Sequence, residues 1–255
     1  MARGVTFNNY DLQDATVITN RAQHTQYPDR DLTFKRKTRA DGFHIVNNYF
    51  ISRHIVVGGT IKGADTATLH TNVDVLKKNL VGQNKNLDID FNGTTRRYVA
   101  TVESLDVPED FYHLTFIPYT VTFLCSPFGK DTVSKSMTQI SATITTTTGT
   151  MTFANGSAAP LPVITIKLTA LSGSADLVRF TNQTTEEWVE VRRTFLLNDT
   201  IEIDVENQTV KVNGSHANFT GIFPSYVTDT NGYKLTVRGS GFTVTLDVEY
   251  TPLYL

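Results

Sequence analysis

The fold class is decided most clearly by residues 87–105, which read LDIDFNGTTRRYVATVESL. The first five residues alternate apolar and polar side chains, as expected of a strand with one buried face. Asn92-Gly93 follows at once, and this dipeptide favours a two-residue hairpin turn because both positions then adopt positive φ. The returning strand spans Thr95 to Leu105. The stretch therefore predicts an antiparallel β-hairpin.

The composition extends this prediction to the whole chain. The 255 residues include 40 Thr, 24 Val, 15 Phe and 10 Tyr, and β-branched and aromatic residues suit the pleated surface of a sheet. This excludes a helical bundle. Hydrophobic residues at 40% and charged residues at 19% exclude a disordered chain. With 23 Lys+Arg against 25 Asp+Glu, no attraction of the whole molecule to nucleic acid or anionic membrane is expected.

One helix is predicted among the strands of the first half. Strands are predicted at Phe43–Tyr49 and Arg53–Ile61, and Asp65 is a suitable N-cap for a helix that follows them. Apolar residues then recur at spacings of four, three and four, and Gly82 is the expected C-cap. The prediction is an amphipathic helix that lies on a sheet.

A long strand, Phe111–Leu124, is apolar on both faces. Burial of both faces indicates either a central strand in a sandwich or a strand with one face against another subunit. The sequence alone leaves these two interpretations open.

The composition then divides the chain into two parts. Residues 131–162 contain the run Thr145–Thr148 and no large apolar cluster, so they are predicted to be a connector between domains at 1–130 and 163–255. Residues 1–130 hold 15 Lys+Arg and 13 Asp+Glu, whereas residues 131–255 hold 8 and 12. Short strands separated by turn signals fill the second half, which predicts an antiparallel sandwich or jelly roll.

A basic stretch at residues 27–42 is predicted to form a long exposed hairpin or extension. Its candidate contact residues are Arg30, Lys35, Arg36, Lys37 and Arg39. They could dock on an acidic partner or on phosphate, and the last four could bind nucleic acid. The alternative is an ordinary solvated hairpin.

The tandem pair Arg96-Arg97 is a second candidate for subunit or partner contacts. Consecutive residues of a strand point to opposite faces, so one of the two could meet a neighbouring subunit or a lumen. The alternative is a surface arginine paired with a local carboxylate.

No catalytic, cofactor or metal site is predicted. Cys125 is the only cysteine and lies in an apolar run, where a small buried side chain is expected. The six histidines lack the spacing of a metal site, and Asp88 and Asp90 are expected on a solvated strand face. No signal peptide or membrane span is predicted.

Three segments resemble the N-terminal domain of the distal tail protein (Dit) family of long-tailed, siphovirus-type phages. They are Ser52–Ile61 (SRHIVVGGTI), Thr94–Ala100 (TTRRYVA) and Leu114–Phe128, with the predicted helix between the first two. In the second half, Ile201–Asp204, Val210–Gly214 and Gly221–Pro224 resemble the galectin-like C-terminal domain of that family.

The resemblance implies a mainly β chain. Its N-terminal domain would be a tail-tube-like β-sandwich with one α-helix, and its C-terminal domain a galectin-like β-sandwich. Six copies would form a ring at the tip of the tail tube, in contact with the tail tube protein, a tail-tip hub or tail-associated protein, and receptor-binding or side-fibre proteins. DNA would only pass through. The protein would be made in the bacterial cytoplasm, incorporated into the virion tail tip, and not inserted in a membrane.

A carbohydrate-binding module for host-surface attachment is the alternative function. It rests on Trp188, the only tryptophan, because galectins bind sugars on a tryptophan near Arg, Glu, His and Asn side chains. A packed or edge-exposed tryptophan is the other interpretation of Trp188.

Overall fold

The computed structural model describes residues 4–36, 41, 43–108, 115–141, 146–171, 174–239 and 242–255. The chain divides into two compact units, Met1–Thr132 with Leu255 and Val133–Tyr254. Each unit has its own cluster of buried hydrophobic side chains. The mainly β class expected from composition is confirmed.

The N-terminal unit contains ten strands and one helix in its described residues. They are β1 (Val5–Phe7), β2 (Tyr10–Asp11), β3 (Val17–Gln23), β4 (Arg30–Arg36), β5 (Phe43–Phe50), β6 (Arg53–Lys62), α1 (Thr66–Asn79), β7 (Lys85–Phe91), β8 (Thr94–Asp106), β9 (Phe116–Cys125) and β10 (Gly129–Asp131). The first residues of the predicted strand Phe111–Leu124 lie outside the described part of the chain.

Most of these strands pair into one antiparallel sheet in the order β2-β1-β7-β8-β9-β6-β3, with β10 beside β8. Its two end strands, β2 and β3, are separated by only five residues, 12–16. Since an extended chain advances at most about 3.6 Å per residue, the two ends of the sheet must lie within about 20 Å of each other. The sheet therefore curls around a single core, which includes Phe7 and Phe123 at a ring separation of 5.1 Å.

The predicted hairpin at Asn92-Gly93 is confirmed by the pairing of β7 with β8. Asn92 has φ 55° and Gly93 has φ 79°, as a two-residue turn of this kind requires. The carboxylate of Asp90 accepts a hydrogen bond from the backbone N–H of Gly93 at 2.8 Å. This bond holds the tip in place.

Helix α1 begins as predicted, because the Asp65 carboxylate accepts a hydrogen bond from the backbone N–H of Thr68 at 2.7 Å. Leu69, Val73 and Leu76 are buried in the core of the N-terminal unit. The expected C-cap was wrong: the cap is Leu80, whose backbone N–H bonds to the carbonyl of Leu76, and Gly82 lies two residues beyond it.

The described residues of the C-terminal unit contain twelve strands. They are β11 (Lys135–Ser141), β12 (Thr146–Phe153), β13 (Val163–Leu171), β14 (Ala175–Asn182), β15 (Trp188–Phe195), β16 (Thr200–Asp204), β17 (Thr209–Val212), β18 (Ser215–His216), β19 (Thr220–Gly221), β20 (Asp229–Gly239), β21 (Phe242–Tyr250) and β22 (Leu253–Tyr254).

Eleven of these strands form two sheets, ordered β11-β21-β13-β16-β17-β18 and β12-β20-β14-β15-β19. Alternate residues of both sheets contribute to one buried cluster, in which Ile164, Ile203 and Leu246 come from the first sheet and Phe180 and Val191 from the second. The outward faces of the two sheets therefore lie on opposite sides of this core.

Residues 131–162 differ from the connector predicted for them. Lys135–Ser141 pairs along its whole length with β21, and Thr146–Phe153 pairs likewise with β20. Met151 and Phe153 are the buried anchors of β12, while its alternate positions are threonines. A strand with one small-residue face carries no apolar cluster in its sequence, which is why composition indicated a connector here.

Candidate functional site

The basic stretch forms the expected hairpin. Strands β4 and β5 pair from Arg30 opposite Phe50 to Arg36 opposite Phe43, with a bulge after Thr33. Within the described residues, this hairpin is a two-stranded sheet that pairs with no other strand. Because isolated two-stranded hairpins are only marginally stable in water, a partner surface would add stability to this one.

One face of the hairpin is apolar and open to solvent. Alternation places Leu32 and Phe34 on the same face of β4, and the register brings Phe43 and Ile45 of β5 beside them. The rings of Phe34 and Phe43 meet edge to face at 4.7 Å, yet 51% and 57% of these residues remain exposed. Contiguous exposed apolar side chains mark interaction surfaces in soluble proteins.

Arg30 is held at the base of the hairpin. Its guanidinium carbon lies 4.9 Å from the ring centre of Tyr27 and 4.6 Å from that of Phe50. The guanidinium also donates a hydrogen bond to the Tyr27 hydroxyl. Phe50 packs in turn on Phe128 at 5.3 Å. Cation–π contacts of this kind are attractive, so Arg30 stabilises the base.

A second set of contacts ties the base to the curled sheet. The backbone N–H of Asp29 donates to the carbonyl of Ser52 at 2.8 Å, and the N–H of Ile51 donates to the carbonyl of Asp29 at 2.9 Å. His54 of β6 lies between two carboxylates, with Nδ1 3.0 Å from Glu103 and Nε2 3.6 Å from Asp29. These contacts fix the base of the hairpin against the curled sheet.

The remaining cations of the stretch lie toward the hairpin tip. Lys35 and Arg36 are exposed and make no side-chain hydrogen bond or ion pair with the described residues. Lys37 and Arg39 lie outside the described residues. Docking on an acidic partner and binding of nucleic acid by these cations therefore stay predictions.

Arg96 and Arg97 have different surroundings. Arg97 forms a forked pair with Asp88, with Nε–Oδ1 at 2.8 Å and Nη2–Oδ2 at 2.7 Å. This hydrogen bonding raises the pKa of Arg97. Arg96 lies on the opposite face of β8 from Arg97, the same face as the buried Tyr98. One of the terminal nitrogens of the Arg96 guanidinium is buried. A contact of either arginine with a subunit or partner stays a prediction.

The long strand β9 has one face in the core and one partly exposed. Tyr119, Val121 and Phe123 are buried, whereas Leu124 is exposed. An open groove of about 510 Å³ also lies on this sheet, lined by residues that include Ile18 and Phe116. β9 lies between β8 and β6 in the sheet, so it is a central strand, while a contact of its second face with another subunit stays a prediction.

Trp188 is engaged by its own unit. The guanidinium carbon of Arg179 lies over the indole at 4.3 Å from the ring centre. A Cβ on Gly221 would approach the indole within 2.7 Å, so that backbone also packs closely against it. Sugar binding at Trp188 stays a prediction, but a sugar stacking on the Arg179 side would have to displace the guanidinium.

Glu190 lies close to Trp188 in the sequence, but its burial was not predicted. Its side chain is 1% exposed, and it accepts hydrogen bonds from Arg179 at 2.6 Å and Arg192 at 2.5 Å. Burial on its own would raise the pKa of Glu190, but the bonds from Arg192 and Arg179 outweigh it and lower that pKa. The alternation of β15 places Glu190 on the outward face, opposite the buried Val189 and Val191, so the pattern predicts an exposed side chain and gives no signal of this burial.

The burial of Arg53 was also not predicted from the sequence. It is 1% exposed, and its Nη1 donates to the carbonyl of His24 and the hydroxyl of Tyr98, both at 3.2 Å. The alternation Arg53-x-Ile55-x-Val57 places it on the core face. Cys125 lies opposite Arg53 in the register, and burial raises its pKa to about 12 although Arg53 acts to lower it.

Within the described ranges, no group of three or more His, Cys, Asp or Glu residues has the geometry to hold a metal ion. The same residues include no helix long and apolar enough to cross a membrane.

Comparison with known proteins gives a consistent result. Residues 155–254 match the family model described as the C-terminal domain of the siphovirus-type tail component, SPP1 Dit. The whole chain matches the crystal structure of the Dit protein of phage SPP1, described as a paradigm of the hub adsorption apparatus in phages that infect Gram-positive bacteria. That match has a TM-score of 0.74 at 14% identity and covers 100% of both chains.

Two structures of the phage P2 baseplate in its activated conformation also match. With calcium the TM-score is 0.43 at 11% identity, and with strontium 0.44 at 9% identity, in each case over 97% of this chain and 98% of the other. No curated protein matches the sequence. The resemblance to the distal tail protein family expected from the sequence is confirmed.

Proposed function

We propose that this chain, a structural protein of the phage tail that resembles the distal tail (Dit) proteins, assembles into a six-membered ring at the tip of the tail tube. Six is the number that the family resemblance implies. The observation that carries the proposal is the apolar face of the hairpin formed by β4 and β5, with Phe34 and Phe43 exposed at its centre. Such a face is stabilised when another subunit covers it.

The contact between neighbours would be heterologous. The hairpin of one copy would lie on a different surface of the next, since a contact between unlike patches closes into a ring when the rotation between subunits allows it. The partly exposed face of β9, with Leu124 toward one end and the groove beside Phe116 at the other, is the surface of the N-terminal unit best suited to receive it. Lys35 and Arg36 would flank the contact.

The ring would act mechanically rather than chemically. It would join the tail tube protein to a tail-tip hub or tail-associated protein, carry receptor-binding or side-fibre proteins, and leave a central opening for DNA during ejection. The chain would be made in the host cytoplasm before assembly into the virion tail. It would have no catalytic activity and no cofactor.

Negative-stain electron microscopy of the purified chain tests this proposal. We expect closed rings with six subunits and a central opening wide enough for duplex DNA. A field of single particles of one chain each, at concentrations well above micromolar, would contradict it. Rings with another subunit number would overturn the hexamer and leave the ring itself supported.

A further inference from the structure

The two outward faces of the C-terminal unit carry opposite charge. We define the basic face as the outward side of the sheet that contains β14, β15 and β20, with Arg179, Arg192, Lys234 and Arg238 on it. We define the acidic face as the outward side of the other sheet, with Glu202, Asp204, Asp247 and Glu249 on it.

These assignments follow from strand alternation. Phe180, Leu235 and Val237 of the second sheet are core residues, so the positions between them, such as Arg179 and Thr236, point outward. Ile201, Ile203 and Leu246 are core residues of the first sheet, which places its carboxylates on the opposite outward side. Because the two sheets share one core, the whole thickness of the unit separates the basic face from the acidic face.

The basic face has more cations than its own carboxylates can neutralise. Glu190 accepts from Arg179 and Arg192, and Asp176 is paired with Arg238 at 2.6 and 2.7 Å. Four cations thus meet two carboxylates. Lys234 is exposed and makes no side-chain bond with any described residue. An open groove of about 410 Å³ runs over this face and is lined in part by Arg179, Thr236 and Arg238.

The acidic face has the reverse imbalance. Its four carboxylates meet two lysines, of which Lys211 bonds to Glu202 at 2.8 Å and Lys167 is exposed. Asp204 is bonded to Asn207 at 2.7 Å, and Asp247 accepts from Thr138 at 2.6 Å. Glu249 is exposed and has no side-chain partner in the described part of the chain.

We infer that the C-terminal units of neighbouring copies associate head to tail, with the basic face of one against the acidic face of the next. The partner is a second copy of this chain, because the surface of complementary charge is present on the chain itself. Contacts between two basic or two acidic faces are disfavoured by repulsion, so charge selects the heterologous arrangement. The inference rests on the proposed ring and adds a second contact to it.

Cross-linking between single cysteines tests this arrangement without changing any charge. Thr148 is exposed on the basic face opposite Lys234, and Ser136 is exposed on the acidic face opposite Glu249. Chains with Thr148→Cys and chains with Ser136→Cys carry different tags, are mixed under conditions that allow subunit exchange, and are treated with a short bis-maleimide. Native Cys125 is buried and does not compete.

We expect cross-links between the two kinds of chain to exceed those within either kind. Lys234→Glu should lower the mixed cross-link by about fivefold, because it replaces attraction by repulsion, and Glu249→Lys in the partner chain should restore it. Lys78→Glu on helix α1 is the matched control. It reverses the charge of a lysine far away in the sequence, and we expect no loss of the mixed cross-link. Circular dichroism of each variant checks that it is folded.

The outcomes separate this inference from the proposed ring. Rings in micrographs without mixed cross-links, or with equal cross-links within each kind of chain, overturn the head-to-tail contact and leave the ring in place. Chains that stay monomeric and do not cross-link overturn both. Mixed cross-links that persist unchanged in Lys234→Glu contradict the role of charge.

Discussion

The rings of Phe34 and Phe43 pack edge to face at 4.7 Å across the hairpin of β4 and β5, although more than half of each residue is exposed. The pair organises the apolar face by itself, before any partner is present. A rigid, preformed aromatic pair loses little conformational freedom on binding, which favours association. The proposed contact between ring subunits depends on this aromatic pair.

Gly59 of β6 allows strand β3 to come closer than a residue with a Cβ atom would permit. A Cβ at this position would lie 2.0 Å from the carbonyl oxygen of Ile18, whereas at the adjacent Gly58 it would meet nothing closer than 3.5 Å. We expect Gly59→Ala to lower the free energy of unfolding by more than about 2 kcal/mol through strain at the edge of the sheet. Urea unfolding followed by circular dichroism measures it.

Gly58→Ala is the matched control for this prediction. It adds the same methyl group one residue earlier in the strand. We expect it to change the free energy of unfolding by less than about 1 kcal/mol. Equal stability losses for the two variants would show that the β3–β6 approach is not the cause.

Glu190 holds two arginines on the outward side of its sheet. Glu190→Ala removes the acceptor for Arg179 and Arg192, so we expect a loss of about 2 kcal/mol in the free energy of unfolding, the range for bonds to charged groups. Glu249→Ala, at an exposed carboxylate without a side-chain partner, should cost less than about 0.5 kcal/mol. Thermal and urea unfolding compare the two, and similar losses would contradict the assigned role.

Acid should destabilise the fold through carboxyls such as Glu190 and Asp14. For both groups burial acts to raise the pKa, but hydrogen bonds from Arg192 and Arg179, and from Val17 and Thr16, lower it overall. Their folded pKa values therefore lie below the unfolded ones, which are about 4. The stability they contribute is present above about pH 4 and is lost as pH falls through the folded values.

Urea titrations at pH 7 and pH 3 measure this dependence. We expect a lower unfolding midpoint at pH 3, with a smaller difference in Glu190→Gln. A midpoint that is unchanged or higher at pH 3 would contradict the direction of these pKa shifts.

Cys125 should be inert in the native chain. Burial raises its pKa to about 12, against the lowering effect of Arg53, so almost no thiolate exists at pH 8. We expect no reaction with Ellman's reagent in buffer and the release of one equivalent of thionitrobenzoate in urea. Rapid reaction of the folded chain would mean that the site opens or that the thiol is ionised.

Local features were the ones that the sequence could predict. Asn92-Gly93 fixed a hairpin because its turn needs only its own two residues, and Asp65 marked a helix start because its carboxylate bonds three residues ahead. The apolar face of the basic hairpin was recoverable too, from the alternation of Leu32 and Phe34. The cations at neighbouring positions favoured a different prediction, docking on an acidic partner or on phosphate.

Features that depend on long-range pairing could not be predicted. The strand Thr146–Phe153 is held by its register with β20, more than 70 residues away, and its threonines carry no apolar signal. Alternation indicates that Lys234 and Glu249 both point outward, but only the order of strands in each sheet places them on opposite faces. The segregation of charge is therefore a property of the topology.

The mass of the chain in solution decides whether it assembles into a ring of six through its hairpin. Size-exclusion chromatography with light scattering is run on the wild type and on Phe34→Ser/Phe43→Ser, with Val81→Ser as a control at an exposed residue beyond helix α1. We expect the mass of six chains for the wild type and the control, and of one chain for the folded double variant, as a ring held by this aromatic pair requires. A wild type that is monomeric throughout, or a double variant that keeps the mass of six chains, would contradict it.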